Sequence, residues 1–273
     1  VNLSSAFFGA CTVSVMCMIG MHLFKSRWAA VCAALCLAFS FEFFEQSVVA
    51  EVYTLNALLL SICWLVLMRW RLKGHCDQCL YFFAVVYGLS LGNHNTMLVL
   101  GPVFGLYILA GDGFNWRRWG MYLRMMVIAL VLAVLVYSYI PLRSLANPPM
   151  DWGNPETLQG WWDHVSRKQY AFMMHERPRD FGLFLRQMGM MGRLMLDQGS
   201  FVYAVMAFVG LAMAVFRDKS YRLFWGLLIV CGVWTTLATV LAQNPWIDTT
   251  WYQVMSVFAI PGYMVMALGV GKV

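Results

Sequence analysis

Apolar residues fall in nine runs separated by polar gaps, at roughly 3–24, 28–41, 52–68, 80–92, 96–110, 121–141, 199–216, 222–242 and 253–270. A bilayer-spanning helix needs roughly 20 such residues; the clearest candidates are 201–216, 221–242 and 122–141. Alternating strands of a membrane barrel are absent, and helices satisfy their own backbone groups in lipid. The pattern therefore predicts an all-α, polytopic helical membrane protein with about nine spans. The runs at 28–41 and 80–92 are short, so they are expected to be tilted or shielded by neighbours. Three parts follow: membrane helices over 1–141, a polar loop over 142–198, and C-terminal helices over 199–273.

Composition agrees. Hydrophobic residues make up 61% of the 273 and charged residues 12%, against about 25% charged in a soluble domain, and mean hydropathy is +0.67. An ordinary cytosolic enzyme, a disordered chain and a fibrous chain are excluded. The net charge of +6 is spread between the runs rather than gathered on one surface, so nucleic acid is not the expected partner. The eight cysteines lie mostly inside apolar runs and none falls in 142–198, which is not a secreted disulfide framework. Val1 opens almost directly into a run with no signal-peptide start, so the chain is expected to be a fragment.

Charge supplies sidedness. Alternate gaps hold Lys25 and Arg27; Arg69, Arg71 and Lys73; Arg117, Arg118 and Arg124; Arg217, Lys219 and Arg222; and Lys272. The opposite gaps and the 142–198 loop carry ten of the thirteen acids. Basic loops stay in the cytoplasm, so the acidic gaps and the long loop are expected outside it. Within that loop, an amphipathic stretch at 157–170, capped by the Asn154-Pro155 turn, and another at Phe181–Leu196 are expected to lie flat in the interface.

Candidate chemistry lies on the acidic side. Glu42, Glu45 and Glu51 crowd one turn, followed by Tyr53 and Asn56. Glu51 is expected to lie deepest and to be functional, because a carboxylate near hydrocarbon is costly; Glu42 and Glu45 read more simply as solvated helix-terminal acids. Asn93-His94-Asn95 suits a sugar or phosphate, and equally a helix start capped by Asn95 or Thr96. Arg143 at a helix end can hold a phosphate or simply snorkel. Asp151 and Trp152, then Trp161, Trp162, Asp163, His164, Arg167 and Tyr170, combine flat faces with hydrogen-bonding groups, as sugar recognition or an aromatic membrane belt requires. His75-Cys76-Asp77-Gln78-Cys79 is expected to be a loop with free thiols, and His22 a packed core residue. No metal site is evident.

Together these residues resemble a known family. Ala50-Glu51-Val52-Tyr53-Thr54-Leu55-Asn56, Gly92-Asn93-His94-Asn95, Tyr139 through Arg143, Asp151-Trp152-Gly153-Asn154-Pro155-Glu156-Thr157 and His164-Val165-Ser166-Arg167-Lys168-Gln169-Tyr170 look like the transmembrane-protein-260-like family. It comprises bacterial multi-pass proteins grouped with a eukaryotic protein O-mannosyltransferase. The resemblance implies a GT-C glycosyltransferase fold, a polyprenyl-phosphate sugar donor taken from the membrane lipid, and an acceptor protein Ser or Thr. It implies that Glu51 is an acidic outer-loop position, that Arg143 holds phosphate, that His94 or His164 binds phosphate or sugar hydroxyls, and that Trp152 and Tyr170 form part of the sugar wall. It also implies a preceding span and outer loop bearing another carboxylate. Whether a divalent metal takes part is left open. A sugar transferase acting on lipid or polysaccharide, and a transporter or flippase, remain alternatives. A bacterial inner membrane is expected, or the endoplasmic reticulum in a eukaryote.

Overall fold

The computed structural model describes residues 2–168 and 179–273. Each of the nine apolar runs is helical. The helices are α1 (Leu3–Leu23), α2 (Arg27–Ala38), α3 (Phe41–Val48), α4 (Tyr53–Leu72), α5 (Asp77–Leu91), α6 (Thr96–Gly111), α7 (Trp119–Ser144), α8 (Leu158–Val165), α9 (Phe181–Leu196), α10 (Phe201–Arg217), α11 (Arg222–Gln243), α12 (Thr249–Ser256) and α13 (Ile260–Val270).

The protein is a polytopic helical membrane protein, although nine full spans are not confirmed. Five helical stretches are long and apolar enough to cross a bilayer: α1, α4, the stretch through α7, α11, and α12 with α13. Two bent pairs, α2 with α3 at 65° and α9 with α10 at 103°, bring the number to seven if each pair is one span. The α5 and α6 helices, at 15 and 16 residues, fall short.

Helix α13 forms the centre. Its residues from Ile260 through Gly269 are all buried, and it packs on α2, α10 and α11. The contact with α10 is made by small residues: a Cβ on Gly210 would lie 1.8 Å from the Gly269 carbonyl oxygen. Such residues let helix backbones touch where lipid supplies no hydrophobic drive. Helix α7 is peripheral. It buries a narrow stripe, Met121, Met125, Ala129 and Ala133, against α5, where a Cβ on Gly88 would stand 2.7 Å from Ala129 Cα. Its other faces expose Leu123, Met126, Leu130 and Leu135, as a lipid-facing helix should.

The bundle has two poles. At one, Ser5 Oγ donates to the Glu51 carbonyl at 3.5 Å, Asn93 Nδ2 to the Val52 carbonyl at 3.3 Å, Tyr137 Oη to the Leu91 carbonyl at 3.2 Å, and Trp161 Nε1 to the Tyr137 carbonyl at 3.0 Å. The acidic gaps therefore meet at one end, together with the tryptophan-bearing loop. At the other, Lys272 Nζ donates to the Leu23 carbonyl at 3.4 Å and pairs with Asp218 at 2.6 Å, while Arg71 donates to the Gly111 carbonyl at 3.2 Å.

Several expectations shift. His22 is exposed on the last turn of α1 rather than packed in the core. Among the described residues of the 157–170 stretch the α-helix is α8, capped by Thr157, whose Oγ1 accepts the Gly160 N–H at 3.0 Å. Arg167 has φ +56° and lies beyond the helix end, so it shares no helical face with His164. Helix α9 has the expected bounds.

Candidate functional site

The acidic pole is built around α3. Ser40 ends the preceding turn by donating to the Leu37 carbonyl at 2.9 Å, and the chain re-enters a helix at a sharp angle. Phe41 and Phe44 face outward while Glu42, Phe43 and Gln46 face inward. Glu42 is only 4% exposed. Gln46 Nε2, one turn on, donates to its Oε1 at 2.9 Å. The Glu42 backbone N–H donates to Gln198 Oε1 at 3.0 Å, which fastens α3 to the α9–α10 junction. Ser256 at the end of α12 stands close enough to favour the charged form of the carboxylate. Among the described residues no cation lies within ion-pair distance of it. A buried carboxylate without a cation is costly to keep charged. Unpaired polar atoms gather nearby: Gln46 Oε1, and the hydroxyl of Tyr263, which is close enough to feel the Glu42 charge.

This reverses the order expected within the turn. Glu51 is exposed just ahead of α4, and Glu42 is the deep one. The signal was present in the sequence: Glu42 and Gln46 stand four apart, opposite Phe41 and Phe44, so an amphipathic helix points both inward. A three-acid turn obscured it.

A second cluster adjoins. The Tyr53 ring lies 5.4 Å from His94 and 6.2 Å from Phe258, and His94 lies 5.6 Å from Phe258. Thr96 holds the imidazole: its N–H reaches His94 Nδ1 at 3.3 Å and its Oγ1 lies at 2.9 Å. Asn56 Nδ2 donates to the same hydroxyl at 3.0 Å. With Nδ1 accepting, the proton belongs on Nε2. Burial, followed by the charge of Arg167, pushes His94 down to about 4, so it is neutral at pH 7. Asn95 precedes α6 without a capping bond from its side chain.

The third group covers the end of α7. Ser144 Oγ donates to Asp151 Oδ2 at 2.6 Å. Gly153 and Asn154 take φ +78° and +42°, turning the chain back on itself, and the His164 ring packs by Gly153. Arg143 and Trp152 are exposed. Thus Tyr53, Asn56 and His94 come together, with Asn93 tied to the same turn and the charge of Arg167 felt at His94. Asp151, Trp152 and His164 share the neighbouring loop beside Arg143. Tyr170 lies outside the described residues. Among the described residues, no three His, Cys, Asp or Glu side chains gather as metal ligands.

Residues 1–116 match the family model described as Protein O-mannosyl-transferase TMEM260 N-terminal domain. The mouse (Mus musculus) protein named Protein O-mannosyl-transferase TMEM260 is 27% identical over 179 residues, covering 63% of this chain and 25% of its own length. The chain therefore spans about a quarter of that curated relative. No solved structure matches the chain. The part matched by the family model holds Glu42, Glu51, Tyr53, Asn56, Asn93 and His94, whereas Arg143, Asp151, Trp152, His164 and Arg167 lie beyond it.

Proposed function

We propose that the chain is the membrane portion of a GT-C type glycosyltransferase that moves a sugar, mannose or similar, from a polyprenyl-phosphate donor to protein Ser or Thr at the acidic pole. The observation that carries this reading is the deeply buried Glu42, without an ion-pair partner among the described residues and set among side-chain amides at that pole. The name of the mouse relative supports transfer of mannose to protein. The basic gaps face the cytoplasm by the positive-inside rule, so the reaction lies on the extracytoplasmic side, of a bacterial inner membrane or of the endoplasmic reticulum in a eukaryote.

Inverting transfer needs a base for the acceptor hydroxyl and a stabiliser for the departing phosphate. Glu42 takes the proton as the hydroxyl oxygen attacks the anomeric carbon; the bond from that carbon to the phosphate oxygen breaks, and the phosphate leaves with the bonding pair. Exposed Glu51 stands at the mouth as the acceptor-side acid. Neutral His94, its Nε2–H free to donate, and Tyr53 are placed to meet sugar hydroxyls, with Asn93, Asn95 and Trp152 around them. Arg143 and Arg167 on one flank, and Arg186 and Arg193 on the other, are cations of the pole.

The hydroxyls midway along α11, on Thr235, Thr236 and Thr239, bond carbonyls of their own helix and so do not line a polar path along it.

Full-length protein in membranes, given labelled polyprenyl-phosphate mannose and a Ser/Thr-rich acceptor protein, should label the acceptor. Glu42→Gln should cut the rate by roughly 100-fold or more, the usual worth of a general base. A folded Glu42→Gln protein working at the wild-type rate would contradict the assignment. Label appearing in lipid or polysaccharide instead would move the acceptor, not the chemistry.

A further inference from the structure

Helix α9 turns 103° away from α10 and packs against α11 and α12. Gln187 on its inner face fixes it there, its Nε2 donating to Asn244 Oδ1 at 3.0 Å and to the Pro245 carbonyl at 2.8 Å. Between α9 and the start of α12 lies a cleft of about 660 Å³, bounded by Arg186, Gly189, Arg193, Asp248, Tyr252 and Gln253 among others. That volume is ample for a small-molecule headgroup.

Among its lining residues two arginines face a single acid, Asp248, so cations are in excess. Arg186 and Arg193 stand seven residues, or about 10 Å of helix, apart on one face. Among the described residues neither has an ion-pair partner. Asp248 is committed to capping α12, accepting the Trp251 N–H at 2.8 Å. Asp197, beside the cleft, accepts the Tyr252 hydroxyl. Between the two arginines, Gly189 bares the helix backbone, and a Cβ there would meet nothing within 4 Å. Glycine inside a helix costs about 0.5–1 kcal/mol against alanine, and here it leaves the floor of the cleft open. The cleft lies toward the buried acid: Ser256, near Glu42, donates to the carbonyl of the lining residue Gln253 at 2.6 Å.

We infer that this cleft is a seat for the phosphate group of a membrane lipid, gripped between Arg186 and Arg193 over Gly189. Guanidinium forks bind phosphate oxygens two at a time, and most strongly where water is partly excluded. Within the transferase reading, on which this rests for its consequence, the seat receives the donor's phosphate and sets the anomeric carbon toward Glu42. Arg143, on the peripheral α7, is then not the principal phosphate ligand. The phosphate chemistry is shared by a polyprenyl phosphate and by an anionic phospholipid of the bilayer, and the arms of the test separate them.

The full chain in detergent micelles is titrated with a short polyprenyl phosphate and, separately, with phosphatidylglycerol, and bound lipid is counted by native mass spectrometry. Arg186→Ala and Arg193→Ala should each weaken polyprenyl phosphate binding at least 10-fold. Arg186→Lys with Arg193→Lys should retain part of it, since the charge stays while the fork is lost. Gly189→Phe should block binding with both arginines in place, and Lys219→Ala at the opposite pole should leave it unchanged. Selective binding of polyprenyl phosphate assigns the seat to the donor, and equal binding of phosphatidylglycerol assigns it to a bilayer lipid. Folded Arg186→Ala/Arg193→Ala protein that binds like wild type overturns the inference. Lost transfer in Glu42→Gln with intact arginine-dependent binding would leave both readings standing; unaltered transfer there would remove the function reading alone.

Discussion

The two poles of the bundle both bury acids, but they treat them differently. At the basic pole Asp112, its side chain 2% exposed, receives Arg118 at 2.8 Å, His75 at 3.1 Å and the Tyr122 hydroxyl at 2.6 Å. Asp218 receives Lys272 at 2.6 Å and Trp225 Nε1 at 3.4 Å. Each buried negative charge there is matched by a cation, and the network joins helix ends that the sequence leaves far apart. At the acidic pole Glu42 receives the Gln46 amide and, among the described residues, no cation, while two arginines of the nearby cleft have no ion-pair partner among those residues. The first arrangement is electrostatically closed and acts as a fastening. The second leaves both signs of charge unsatisfied within one region, which is the condition a binding and reacting site requires.

That difference makes opposite demands on substitution. Asp112→Ala should lower stability most, by about 3 kcal/mol, because it takes the buried acceptor from Arg118, His75 and the Tyr122 hydroxyl at once and leaves Arg118 only the exposed Asp77; chemical unfolding in detergent measures it. Nearly as large is the effect of acid on His94. Its folded value, about 4, lies below the unfolded value near 6.5. Its contribution is therefore fully present above pH 6.5 and is lost as the pH falls toward 4, on the order of 3 kcal/mol in all. Unfolding of wild type and His94→Gln from pH 7 to pH 4 should show the wild-type slope disappear in the variant. Glu42→Gln should shift stability by only about 1 kcal/mol or less, since the amide keeps the hydrogen bonds and sheds an unpaired charge, while transfer collapses. A loss as large as that of Asp112→Ala would place Glu42 among the fastenings and erase the contrast. Smallest of all, Asp163→Asn should cost about 0.5 kcal/mol or less, because its 3.0 Å pair with Lys168 is half in water.

Much of this architecture was legible in the chain. Apolar runs located most of the helices, though not α3, which read as a turn, and Phe181–Leu196 was bounded to the residue because its apolar face and its Asp180 cap both show in the sequence. The alternation of acidic and basic gaps foretold the two poles. Span number was harder, because a run such as 96–110 is apolar enough for membrane yet too short to cross alone. The site was legible by region and not by residue. Glu51 and Glu42 differ in depth because α3 turns through 65° after Ser40, and nothing local in the sequence sets that angle. Gln198 and Ser256 come to Glu42 from more than 150 residues away, through the packing of α3 against the α9–α10 junction and the end of α12. His22 was misplaced because a polar residue on an apolar helix looks buried until its neighbours are known.

Sidedness underlies every functional statement. A membrane-impermeant maleimide applied to intact cells reads it directly, using the exposed position of Ala146→Cys at the acidic pole and the native Cys76 and Cys79 at the basic pole. The account predicts labelling of the cysteine at 146 from outside, and of Cys76 and Cys79 only after the membrane is opened. Labelling of Cys76 and Cys79 from outside, with 146 protected, would contradict it.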